Sequence, residues 1–151
     1  MWDDDLGKLM DGLGYKFKDQ VLLEQALSHR SFANERPGRQ HNERLEFLGD
    51  AVFDLSVGHL LMERLPNARE GELTRLRAMV VSSEGLSHTA HELRLGNYLL
   101  LGRGEQQTGG QRKASLLADT LEAVVGAVFM DGGYDVAAEV TRRLLGPNLD
   151  R

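Results

Sequence analysis

Glu43, Glu46 and Asp50 follow one another at spacings of three and four. On a helix turning about 100° per residue this gathers them within about 60° of one another. Asp119 and Glu122 are also three apart, and they lie inside the most apolar stretch of the chain, Ser115 to Met130. A carboxylate in such surroundings must be paired, protonated or metal-bound, because burying it bare costs more than a fold can spare. Carboxylates without histidine or cysteine suit hard cations, Mg²⁺ or Mn²⁺, rather than zinc or copper. A ring of such acids around bound ions lowers the pKa of a water, aligns it on a phosphoryl group and neutralises developing charge. The chemistry on offer is phosphodiester hydrolysis.

Both groups also have a structural reading. Asn42 can cap a helix whose first-turn acid is Glu43, with Glu46 and Asp50 merely solvated. Asp119 can cap a late-starting helix, with Glu122 closing a capping box. Against the first, like charges at these spacings each oppose a helix by a few tenths of a kcal/mol, and an interior glycine such as Gly49 costs up to ~1 kcal/mol relative to alanine. Against the second, Ser115 competes as the cap and Leu116-Leu117 already read as helix. A di-iron bundle would need Glu-x-x-His, and no glutamate here has a histidine three residues on. A pure binding module would leave the acids unexplained.

The elements that must hold these residues are helices. Leu6, Leu9, Met10 and Leu13 predict a first helix after an acidic turn (Asp3-Asp4-Asp5), closed by Gly12 and Gly14. A second is expected over Asp19–Ala26, leading to His29, which reads either as a site residue or, the reading preferred, as a hydrogen-bonded structural group near a helix end. Ala33–His41, with its Pro-Gly pair, reads as a surface loop. The acidic-faced helix is expected over Asn42–Leu65, with Leu45, Leu48, Val52 and Leu55 as its core face. Further helices start near Glu70 and cover Ser83–Leu93. In the latter, His88 and His91 stand at i,i+3, not the i,i+4 of a helical zinc hydrolase. Gly102–Lys113 reads as a mobile polar connection, either a solvated loop or a basic loop whose Arg103, Arg112 and Lys113 touch a nucleic-acid backbone. Ser115–Met130, stopped by Asp131-Gly132-Gly133, and Tyr134–Leu145, stopped at Gly146-Pro147, complete the set. With no period-two alternation, the expected fold is all-α.

The 151 residues, 41% apolar and 27% charged, describe one soluble globular domain over residues 1–151 and exclude disordered and fibrous classes. The longest apolar run, Ala123 to Met130, is far too short to cross a bilayer, and the acidic start is the opposite of a basic signal sequence. A cytoplasmic protein with no membrane partner is expected. The lack of cysteine removes disulfides, thiolate catalysis and Cys-type zinc sites. A net charge of −5 is a poor footprint for bulk electrostatic binding of a polyanion. Bound cations or a separate basic domain must help.

At these residues the chain resembles the catalytic domain of bacterial ribonuclease III. His41-Asn42-Glu43-Arg44-Leu45-Glu46-Phe47-Leu48-Gly49-Asp50 looks like that family's signature. Ala26 to Ser31, Gly71 to Ala78, Leu101 to Glu105 and Leu117 to Ala123 follow its motifs in order. Ser28 stands where many relatives have threonine. The resemblance implies an all-helical, two-fold symmetric homodimer that holds double-stranded RNA in a valley. It would be a Mg²⁺-dependent endoribonuclease, with Mn²⁺ as substitute, leaving 5′-phosphate and 3′-hydroxyl ends in the processing of rRNA and mRNA precursors. Glu46, Asp50, Asp119 and Glu122 match the metal-binding carboxylates, with Asp50 and Glu122 catalytic. Glu43 and Glu72 match nearby valley acids that aid substrate or cation binding, and Phe47 matches an aromatic that enters a pocket on the partner. The alternative is a non-cleaving scaffold of the same fold that binds double-stranded RNA. Relatives of this type continue into a basic double-stranded-RNA-binding domain, whereas this sequence stops at Arg151. The expectation is the catalytic part of a longer chain.

Overall fold

A helix as apolar as the segment that holds Asp119 and Glu122 needs neighbours on nearly every side. The computed structural model, which describes residues 2–149, supplies them. Its helices, in order, are α1 (Trp2–Leu13), α2 (Gln20–Leu27), α3 (Arg30–Asn34), α4 (Glu43–Arg64), α5 (Glu70–Val81), α6 (Ser83–Glu92), α7 (Arg103–Gln107), α8 (Ala114–Gly132) and α9 (Tyr134–Leu149). The side chains at positions 3 and 4, on which the expected acidic first turn of α1 rests, lie outside the described residues, as does Arg151. The fold is all-α: there is no strand among the described residues, only an isolated parallel bridge between Ser28 and Leu100. No described helix is long and apolar enough to cross a membrane.

The central helix is α8, packed by α4, α6, α2 and α9. Leu117, Leu121, Val124, Val125 and Val128 are buried along it, each worth roughly 1.5–3 kcal/mol removed from water. From α4 the core receives Leu45, Val52, Phe53, Val57 and Leu61. The expected core face of α4 is therefore rotated. Leu55 is 60% exposed and Leu48 only half-buried, because α4 turns toward α8 the face that carries Gly49, and the residues in line with it, Val52, Phe53 and Ser56, are the buried ones.

Three boundaries differ from expectation, one through a local cap and two through distant partners. Ala33 and Asn34 are helical, because α3 begins on the side chain of His29, which accepts from the Ser31 N–H. The polar connection Gly102–Lys113 is ordered into α7 and a 3₁₀ turn, Gly110–Arg112. Its start is held by Glu35, whose Oε2 accepts from the Arg103 N–H at 3.0 Å. α9 continues through Pro147 to Leu149. Proline there removes only one helical bond near a terminus, while Arg64 donates to the Gly146 carbonyl (2.7 Å) and Asn148 donates to Thr89 Oγ1 (3.1 Å).

Candidate metal centre

Gly49 on α4 and Gly126 on α8 set the spacing of the acids. A Cβ on Gly49 would overlap the carbonyl oxygen of Glu122, and one on Gly126 would overlap that of Leu45. The two backbones therefore touch with no side chain between them. The interior glycine that looked like a cost to α4 is the condition for its approach to α8. It brings Glu46 and Asp50 from one helix against Asp119 and Glu122 from the other.

Oxygens of Glu46, Asp119 and Glu122 lie within 4.8 Å of one another. Asp50 completes the group through a hydrogen bond to the Glu122 side chain. Burial, then Asp119, Glu43 and Asp50, push the Glu46 carboxyl up to about 7. Burial, then the Asp50 hydrogen bond and the charges of Asp50, Glu46 and Asp119, push Glu122 up to about 9. Asp119 is also raised by burial, with His29 opposing. Closely grouped carboxyls whose charge is disfavoured in this way are a donor set suited to a hard divalent ion. The capping-box reading of Asp119 and Glu122 fails, because α8 starts at Ala114 and both residues are already inside it.

Glu43 is exposed, paired with Arg30 at 3.3 Å, and close enough to raise Glu46. It belongs to the rim of the group. Glu72 is exposed in the first turn of α5 and is not part of the cluster. Phe47, between the acids in sequence, is 81% exposed. Of the basic candidates, Lys113 pairs with Glu105 (2.6 Å), and both line a cavity of about 240 Å³ beside Glu46 and Asp119. Arg103 and Arg112 are exposed and do not line it.

That cavity also holds His29, for which the sequence favours a structural role over a place in the site. The signal was available only in part. A histidine after a helix predicts a cap, but its place beside Asp119 depends on the Ser28–Leu100 bridge, which joins segments far apart in sequence. Burial lowers the His29 pKa, with Glu105 acting in the opposite direction.

Comparison with known proteins agrees with this arrangement. A family model described as Ribonuclease-III-like matches residues 19–149. The chain belongs to the ribonuclease III family. Within it, the chain is 51% identical over 143 residues to the Ribonuclease 3 of Syntrophobacter fumaroxidans, covering 93% of this chain and 59% of that protein. It is 54% identical over 133 residues to that of Oleidesulfovibrio alaskensis, covering 87% and 58%. This ribonuclease III family chain thus spans under three-fifths of either relative. The nuclease domain of the Campylobacter jejuni ribonuclease III superimposes with a TM-score of 0.87 at 41% identity, covering 96% of both chains. A second structure of that nuclease domain, described as flexible in a region involved in dimer formation, gives a TM-score of 0.88 at 41% identity, covering 95% of this chain and 98% of that one.

Proposed function

We propose that this chain, taken over residues 1–151 as one catalytic unit, hydrolyses phosphodiester bonds of double-stranded RNA with divalent metal ions, leaving 5′-phosphate and 3′-hydroxyl ends. The observation that carries the proposal is the all-carboxylate group drawn together where α4 and α8 touch. Glu46, Asp50, Asp119 and Glu122 would hold Mg²⁺, with Mn²⁺ as substitute. Bound there, the ion would supply an activated water and neutralise charge on the phosphoryl group. Asp50 and Glu122, which share a hydrogen bond, are the pair placed to hold or pass a proton at the reacting water. Glu43 at the rim supports cation and substrate binding, while the exposed Glu72 can meet the RNA only at a distance from the cluster. Lys113, whose ion pair with Glu105 flanks the acids, is the best placed of the three basic residues to meet the RNA backbone. Arg103 and Arg112 are left with outer contacts. Precursor rRNA and mRNA in the cytoplasm are the substrates that fit such an activity.

The working unit would be a homodimer. On α4, Phe47, Leu55 and Met62 are all largely exposed and fall within about 80° of one another around the helix. A groove of about 500 Å³, lined by Leu55, Gly58, Met62 and Leu73, has room for an aromatic ring from a second copy. Phe47→Ala should shift sedimentation toward the monomer; an unchanged dimer would remove the role given to that ring.

The nuclease reading is tested by incubating the protein with long RNA duplexes and Mg²⁺ or Mn²⁺. Wild type should cut them, and Glu122→Gln should cut roughly 10²–10³-fold more slowly, the scale of losing one charge-stabilising group, while still binding RNA. Intact duplexes with wild type would leave the scaffold reading in its place.

A further inference from the structure

The cavity beside the acids contains a hydrogen-bond donor that the metal chemistry leaves unused. His29 Nδ1 accepts from the Ser31 N–H at 3.1 Å and lies 2.7 Å from Ser31 Oγ. That oxygen accepts from the Gly102 N–H at 2.8 Å, so its own hydrogen is free to turn toward Nδ1. A ring nitrogen that accepts a backbone N–H carries no proton, and this network assigns the hydrogen of the neutral ring to Nε2. Among the described residues Nε2 has no hydrogen-bond partner. The ring is also fixed from behind: the His29 N–H donates to the Leu100 carbonyl at 3.0 Å, next to the Ser28–Leu100 bridge.

The walls decide what this donor can meet. The cavity carries Glu43, Glu46, Glu105 and Asp119 against Arg30 and Lys113, and those two cations are already paired with Glu43 and Glu105. Under the proposed function Glu46 and Asp119 face the cation, so a phosphate oxygen entering here would be drawn to that ion rather than to His29. A neutral hydroxyl is what suits a neutral N–H donor, and the carboxylates of Glu43 and Glu105 on the same wall can accept its proton. The sugar hydroxyl that separates RNA from DNA is both donor and acceptor.

Resting on the nuclease reading above, we propose that this cavity receives the ribose of a nucleotide flanking the cleaved bond, and that His29 Nε2–H donates to its 2′-hydroxyl. His29 is then a specificity residue for ribose over deoxyribose, in addition to capping α3.

The test is a set of RNA duplexes in which one 2′-deoxy nucleotide is walked across the positions flanking the cut, assayed with wild type and His29→Asn. Asparagine is a good N-cap and can still accept from the Ser31 N–H, but it does not reach as Nε2 does. At one position wild type should lose about fivefold to tenfold in kcat/KM, the scale of one hydrogen bond. His29→Asn should show a similar loss on the all-ribose duplex and no additional loss at that position. Indifference of wild type to every deoxy position overturns the proposal, whatever the variant does. So does a deoxy penalty that is the same in His29→Asn as in wild type. If His29→Asn melts early, His29→Ser, a good N-cap whose hydroxyl can accept from the Ser31 N–H and is too short to reach the cavity, carries the same comparison. Failure of wild type to cut the all-ribose duplex would instead sink the nuclease reading, and this inference with it.

Discussion

The two ends of α8 hold carboxylates in opposite circumstances. At its C-terminal end Asp131 accepts from the Tyr15 hydroxyl (2.6 Å), the Lys18 N–H (2.8 Å) and the Asp19 N–H (3.0 Å). Burial works against its charge, but these donors outweigh it and hold the carboxyl below its ordinary range. Tyr15 is correspondingly pushed up to about 12, by burial and then by Asp131. Nearer the other end, Asp119 and Glu122 are raised, Asp119 by burial and Glu122 by burial and then by the neighbouring Asp50, Glu46 and Asp119. The chain completes one carboxylate with its own donors and leaves the others for something outside itself. That difference separates an acid that builds the fold from acids that, under the proposed function, serve a ligand.

Three changes would break or sharpen the contrast. The largest effect on the fold should come from Gly49→Ala, whose Cβ would meet the Glu122 carbonyl backbone. Forcing α4 from α8 should cost about 3 kcal/mol or more in urea unfolding and abolish cation-dependent stabilisation. A variant of unchanged stability would show that the helices are not in backbone contact. Asp131→Ala comes next. It removes an ionised acceptor from three donors and should cost about 2 kcal/mol, with the stabilisation by Mg²⁺ on melting unchanged. Loss of that response would mean that the two ends of α8 are not independent.

The smallest effect concerns pH and should have the opposite sign to the others. Raised carboxyls favour the folded state fully only below their unfolded pKa values near 4.5, and that contribution is lost as pH rises through about 7 for Glu46 and about 9 for Glu122. In chelator, Glu122→Gln should therefore match wild type near pH 5 and exceed it above pH 8. The gain should be about 1–2 kcal/mol, below the full linkage value because the group is only half shielded from solvent. Equal pH profiles for the two proteins would show that the acids do not repel one another as described.

Much of this was readable before any coordinates, and the reasons are local. α4 and α8 announce themselves through length and apolar content, and the acids through spacing that a structural helix would avoid. What escaped depends on partners distant in the chain. Nothing near Arg103 says that Glu35 will start a helix there, and nothing near Pro147 says that Arg64 and Asn148 will carry α9 through it. Gly49 was legible as a cost but not as a contact, since its meaning lies in Glu122. Leu55 was assigned to the core because helical periodicity identifies a stripe but not which edge of the stripe a neighbour will choose. Glu72 shares the acidic character of the cluster without sharing its place.

The glycine contact between α4 and α8 also ties two properties that are commonly treated apart. The helices cannot relax their acids by shifting a cushion of side chains, so the repulsion among Glu46, Asp50, Asp119 and Glu122 is borne by the fold as a whole. A cation that binds only the assembled group would return that energy as stabilisation. Under the proposed function, tolerance of heat in the metal-free protein and grip on the ion become reciprocal quantities. Any substitution that makes the bare domain sturdier by relieving these acids should leave it holding its metal more weakly.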